Sequence, residues 1–234
     1  MSALSSVNVT MANLQRHGDR VDVGWKWLSQ EERERATKFH READRTRFVL
    51  GRMMARQYCA LHLKRRPTEV VFAATAEGKL WLQEAPGFAF NVSHSGDWVL
   101  LAWSERSLVG VDVEAMDRRI GVSLEQMAES AFSPAECEAL RADRRSLTDT
   151  FFRIWVRKEA IIKAEGCGLS GRLHDFSVAC LKAGQVQWHS EVRYPGVHPP
   201  WQLHEIAVAP GYQAAVAAGM GCELRVEDWK MPVG

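Results

Sequence analysis

Cysteine is too sparse and too scattered in this 234-residue chain to build a scaffold from metal or disulfides. The five cysteines, at 59, 137, 167, 180 and 222, form no close pair, which excludes a structural zinc cage, and any full disulfide scheme leaves one over. A reducing compartment is expected. Long apolar runs are missing too: no stretch reaches the roughly eighteen residues of a membrane span, and the opening MSALSSVNVTMANLQRHGD lacks the continuous apolar centre of a secretion signal. The cytoplasm is therefore the expected location, with no membrane partner. Neither sign of charge is in excess, since 30 Lys and Arg stand against 29 Asp and Glu for a net +1. No global field draws the chain to nucleic acid, although a local anion site is allowed. A GxSxG elbow is also absent, and the adjacent Ser93 and His94 cannot readily form a nucleophile–base pair, which argues against a serine hydrolase.

What is present is an ordinary soluble composition, 46% hydrophobic and 25% charged, long enough for one large core or two smaller ones in contact. Residues 28 to 63 read as two arginine-rich helices broken near 41 to 45, the first capped by Ser29 with Glu32 three residues on. TEVVFAATAEGKLWL reads as a strand, a turn at Glu77, Gly78 and Lys79, and a second strand. FAFNVSHSGDWVLLAWS and SLVGVDVE then supply three strand-like segments, expected to form one antiparallel sheet under a helical layer. After a linker at AMDRRIG come two short helices, the second started by Ser133 and Pro134. A long helix over roughly 149 to 166 follows, ended by Gly166 and Gly168. A hairpin over FSVACLKAGQVQWHSE and two strands around the Pro210–Gly211 turn complete the chain. Helices followed by strands occur twice, so two similar lobes are expected, 1–115 and 116–234, with a pocket where they meet.

The segment GVDVE, residues 110 to 114, places Asp112 and Glu114 on one face of a strand and Val109, Val111 and Val113 on the other. Two adjacent carboxylates need a cation, a shared proton or plain solvent. In the long helix, Phe152, Trp155, Glu159, Ile162 and Lys163 fall along one side by spacings of three and four. Glu159 and Lys163 form either a surface pair or the edge of a polar cleft. In the cleft reading Glu159 approaches Asp112 and Glu114, and three carboxylates suit magnesium with positions left for water and phosphate. NVSHSG adds hydroxyl and imidazole donors beside a glycine that permits close approach, which suits phosphate binding.

Together FNVSHSG at 90–96, GVDVE at 110–114 and WVRKEAIIKAEGCGL at 155–169 resemble, in order and separation, the three motifs of the Sfp-type 4'-phosphopantetheinyl transferase family. RATKFHREADRTRF at 35–48, GKL at 78–80 and PGYQAAVA at 210–217 extend the resemblance over most of the chain. It implies an α+β fold of two similar lobes related by pseudo-twofold symmetry, a monomer with coenzyme A bound between its halves. The implied activity is magnesium-dependent transfer of the 4'-phosphopantetheine arm to a serine of an apo acyl-carrier or peptidyl-carrier domain, releasing 3',5'-ADP. Such carriers serve fatty-acid, polyketide and nonribosomal-peptide biosynthesis. By resemblance, Asp112, Glu114 and Glu159 hold the metal, and Glu159, Lys163 and Asp112 carry the chemistry. Arg35, Arg47, Lys79, Ser93, His94 and Lys158 contact the nucleotide and phosphates of the coenzyme. Glu136 either organises the second lobe or is a solvated helix residue.

Overall fold

The computed structural model of the chain describes residues 6–117, 121–143, 146–166, 172–193 and 200–231. Gly168 and residues 118–120 of the expected linker lie outside them. The first half opens with strand β1 (Ser6–Asn13) and two short helices, α1 (Leu14–His17) and α2 (Val21–Trp27). Helices α3 (Gln30–Thr37) and α4 (Glu42–Leu63) follow, and then the small strands β2 (Ala73–Ala74) and β3 (Leu80–Trp81). Three longer strands close the half: β4 (Ala89–Ser95), β5 (Trp98–Ser104) and β6 (Val109–Ala115). The second half repeats the plan with helices α5 (Leu124–Ala131), α6 (Pro134–Ala142) and α7 (Leu147–Glu165). A hairpin of β7 (Ala179–Lys182) and β8 (Gln185–Trp188) comes next, followed by β9 (Glu191–Val192). Strands β10 (Trp201–Glu205), β11 (Tyr212–Gly219) and β12 (Glu223–Asp228) end it.

The helix starts are those their capping residues specify. Ser29 Oγ accepts from the Glu32 N–H at 3.2 Å while the Glu32 carboxylate accepts from the Ser29 N–H at 2.9 Å, and Ser133 with Glu136 repeats the device at α6. The break between α3 and α4 covers 38–41, slightly before the expected position. No helix among the described residues is long and apolar enough to cross a membrane, and Cys59, Cys137, Cys180 and Cys222 are unpaired.

The fold is mixed α+β, and its strands pair differently from the sequence expectation. One four-stranded sheet runs β12-β1-β5-β4 and the other β6-β11-β10-β9. Thus β6 does not extend the β4–β5 hairpin but pairs antiparallel with β11, while β12 pairs parallel with β1. Cut at residue 115, each half gives its last strand to the other half's sheet. The reason is apolar. Val109, Val111 and Val113 are buried in one cluster with Val7, Val9 and Leu100 of the first sheet and Val216 of the second. Each fully buried valine contributes about 1.5–3 kcal/mol, so this interlobe core welds the halves. Separate cores lie under α4, around Leu50, Met53 and Phe90, and under α7, around Phe151, Ile154 and Ile161.

Candidate active site

The polar face of β6 is turned toward α7, and Gly110 sets how closely the two elements approach. A Cβ at 110 would stand 2.1 Å from the Ala160 carbonyl oxygen and 2.3 Å from the Ala164 nitrogen, so helix backbone lies directly on strand backbone. Two and four residues farther along the same strand face are Asp112 and Glu114. Lys163 Nζ donates to Asp112 Oδ1 at 2.5 Å and to Ser93 Oγ at 3.0 Å. The lysine therefore pairs across elements and not with Glu159.

The edge of β4 is stitched to β6 by side chains instead of by main-chain pairing. Asn91 Oδ1, Ser93 Oγ and Ser95 Oγ accept from the backbone N–H groups of Val111, Val113 and Ala115, at 2.9, 3.3 and 3.0 Å. The alternation in NVSHS is thus a ladder with period two. Ser93 in turn donates to Asp112 Oδ1, and Ser95 to Glu114 Oε2, both at 2.8 Å. A hydroxyl has one hydrogen. The Ser93 hydrogen expected to meet phosphate is directed to Asp112. At the end of β4, Gly96 turns with φ +53°, and the Tyr212 hydroxyl lies where its Cβ would be, 2.2 Å away, accepting the Asp97 N–H at 3.0 Å.

Glu159 is buried beside these acids. Desolvation, reinforced by the Asp112 charge and opposed by Lys163, pushes its carboxyl up to about 7. The sign of the stability effect follows. Between about pH 4.5 and 7 the folded, metal-free chain holds a proton that an unfolded glutamate has released, so its stability falls as pH rises through that window, by about 3–4 kcal/mol in all. Thermal melts in chelator should show Glu159→Gln gaining on the parent chain steadily from pH 5 to 7.5. A difference that is flat with pH would return Glu159 to an ordinary carboxylate.

Asp112 Oδ2 and Glu159 Oε1 are both buried without a hydrogen-bond partner. Orphaned carboxylate oxygens of this kind fit a cation, and an all-oxygen set fits magnesium. Among the described residues no group of three His, Cys, Asp or Glu side chains is drawn up as a ready-made metal cage. Lys163 holds one oxygen of Asp112, and Ser95 donates to Glu114.

Beside the acids lies a cleft of about 220 Å³ whose walls include Arg35, Arg47, Arg52, Lys79, Asn91 and His94. It is below the usual 300–1,000 Å³ range of pockets for whole small-molecule ligands, and so accommodates one end of a large one. Arg47 Nη1 donates to the Gly96 carbonyl at 2.5 Å and is also paired with Asp44. Arg35 and Arg52 lie over the Phe48 ring at 5.5 and 5.1 Å. His94 remains open to solvent, but the surrounding walls desolvate it. That, with Arg47 and Lys163 nearby, lowers its pKa from the ordinary value.

The assignment of Lys158 to phosphate is corrected by its surroundings. Its Nζ is enclosed in the second lobe, donating to Glu136 Oε2 and to the Phe176 carbonyl at 2.6 Å each, with 1% of the side chain exposed. Glu136 is equally buried and also accepts the backbone N–H groups of Ser133 and Val178. It organises the second lobe and is not a solvated helix residue. Lys158 and Lys163 stand five positions apart, which rotates them by roughly 140° around the helix and sends them to opposite neighbours. Lys79, also expected at phosphate, directs its ammonium to α7. Sequence reasoning missed Asn91 and Tyr212, whose roles are long-range. The period-two spacing of Asn91 with Ser93 and Ser95 was the available signal.

Comparison with known proteins places these features in a family. A family model described as the 4'-phosphopantetheinyl transferase superfamily matches residues 108–217, and one described as 4'-phosphopantetheinyl transferase, N-terminal, matches residues 19–106. The chain is 34% identical over 193 residues to 4'-phosphopantetheinyl transferase Sfp of Bacillus subtilis, covering 82% of each chain. It is 33% identical over 203 residues to 4'-phosphopantetheinyl transferase HetI of Nostoc sp., covering 83% of this chain and 80% of the relative. To the L-aminoadipate-semialdehyde dehydrogenase-phosphopantetheinyl transferase of Xenopus laevis it is 28% identical over 206 residues, covering 82% and 68%.

Proposed function

The chain belongs to the 4'-phosphopantetheinyl transferase superfamily and is an enzyme of that class, and from this premise we propose that its donor is coenzyme A and its acceptor a serine of an apo acyl-carrier or peptidyl-carrier domain. Transfer forms a bond from the serine oxygen to the phosphorus carrying pantetheine, breaks the pyrophosphate and releases 3',5'-ADP. The observation that carries the reading is the pair of orphaned, buried oxygens, Asp112 Oδ2 and Glu159 Oε1, beside a cleft walled by Arg35, Arg47 and His94. One side suits a divalent cation and the other suits phosphates.

In this reading Asp112, Glu114 and Glu159 hold magnesium, which when bound neutralises the pyrophosphate and so lowers the barrier to attack by the serine. The remaining work belongs to the side chains. Arg35, Arg47 and His94 bind the nucleotide end and orient it, which removes entropy from the reacting encounter. Glu159 takes the serine proton directly or through a water. Lys163, at 29% side-chain exposure, is open to solvent and stabilises charge on the leaving phosphate.

Intact-mass measurement tests the proposal. An apo-carrier incubated with enzyme, coenzyme A and magnesium should gain one phosphopantetheine per carrier, with 3',5'-ADP released in equal amount. Coenzyme cleaved without a mass gain on the carrier would make the site a hydrolase. Coenzyme bound but unchanged would make it a binding module.

A further inference from the structure

The peptide between Gly96 and Asp97 joins the cleft to the second lobe. Its carbonyl accepts from Arg47 Nη1 at 2.5 Å, and its N–H donates to the Tyr212 hydroxyl at 3.0 Å. A peptide is one rigid plane with its C=O and N–H turned opposite ways, so whatever fixes the N–H also aims the oxygen. Gly96 stands at φ +53°, and a glycine lets the plane beside it turn with little steric resistance. The aim of the oxygen must then come from a partner. Tyr212 supplies one from β11, where it pairs with Ala115 of β6. The N–H of that same Ala115 donates to Ser95 Oγ at 3.0 Å, one residue before the glycine. The turn between β4 and β5 is thus tied to the β6–β11 pair twice, once through Ser95 and once through the phenol. The missing Cβ at 96 makes the second tie possible, since it would lie 2.2 Å from the hydroxyl oxygen.

We propose that Tyr212 is a positioning residue for the coenzyme: its hydroxyl fixes the peptide between Gly96 and Asp97 and so holds Arg47 in place at the cleft. The inference rests on the transferase reading, in which Arg47 binds the nucleotide end. Tyr212 does not itself line the cleft, so its effect must pass through Arg47. The other tether of Arg47 is Asp44, three residues back on the same helix, and the Gly96 oxygen is the one that comes from a separate element. The Asp97 carbonyl is held independently by the Leu14 N–H at 2.8 Å, so the turn stays in place without the phenol and the change on removing it is local.

Tyr212→Phe in the full chain tests it, because the ring stays packed against the interlobe core and only the hydroxyl is lost. The Asp97 amide should exchange with solvent about tenfold faster. Affinity for coenzyme A, measured by calorimetry, should fall about fivefold, the scale of one hydrogen bond. KM for coenzyme A should rise to match while kcat falls by less than about twofold, as expected when an interaction made equally in ground and transition states is weakened. Arg47→Ala supplies the background that separates positioning from general loosening. In that background Tyr212→Phe should cost no further affinity, since its effect passes through the guanidinium. Equal losses in the two backgrounds overturn the inference, as does unaltered exchange at Asp97 or unaltered affinity in the single variant. A parent chain with no affinity for coenzyme A is a different failure: it removes the donor reading, and the inference with it.

Discussion

Asp112→Ala is expected to lower single-turnover transfer by about a thousandfold, a loss of about 4 kcal/mol in transition-state stabilisation, while leaving the chain folded. Asp112 sits at the convergence of every element in the site. One oxygen receives Ser93 and Lys163, and the other is orphaned beside Glu159. Removing the carboxylate takes away a proposed metal ligand, the partner of the Lys163 ammonium and one of the charges that keep Glu159 protonated up to about 7. The base titration should therefore move down in this variant. The backbone pairing of Asp112 with Ala215 does not depend on the side chain, so circular dichroism and cooperative melting should persist. Rates are to be followed across a magnesium titration. Wild-type transfer throughout that range would remove Asp112 from the reacting centre.

Gly110→Ala should have its largest effect on folding. The added methyl would lie 2.1 Å from one backbone atom of α7 and 2.3 Å from another, and neither strand nor helix backbone can turn aside as a flexible side chain does. The helix must move off the strand, opening the cores on both sides. The cost is more than about 3 kcal/mol, in the range of severe overpacking, and the melting temperature should fall by roughly 10 °C. Transfer should fall with it, because a shift of about 1 Å in Glu159 and Lys163 relative to Asp112 costs about a hundredfold. A variant that melts within a degree of the parent would show that the helix does not rest on Gly110.

Much of this was legible beforehand because it is local. Capping at Ser29 and Ser133, the positive-φ turns at Gly78 and Gly211 and the apolar alternation of β6 each depend on residues within a few positions of one another. The spacing from Glu159 to Lys163, four residues and about 40° around the helix, put both on one side without knowledge of the fold. The strand pairing was not legible. Val109 to Ala115 reads equally well beside β5 or β11, and only the apolar match across the two sheets selects β11.

The sequence by itself therefore determined the elements, the faces they present and the acidic and cationic side chains available for phosphate chemistry. Only the tertiary structure decided which of those groups meet. Lys158 and Lys163 read alike as lysines of one helix, yet Lys158 is enclosed with Glu136 and Lys163 reaches Asp112. Lys79 reads as a cation for phosphate, and its ammonium also meets the Lys163 and Ala164 carbonyls at the helix end. The physical reason is that helix geometry fixes the angle between side chains, whereas the neighbour on each side is set by where α7 comes to rest. That is decided by long-range packing, with Gly110 allowing the helix down onto β6 and the Asn91, Ser93 and Ser95 ladder holding the strand edge in register beneath it.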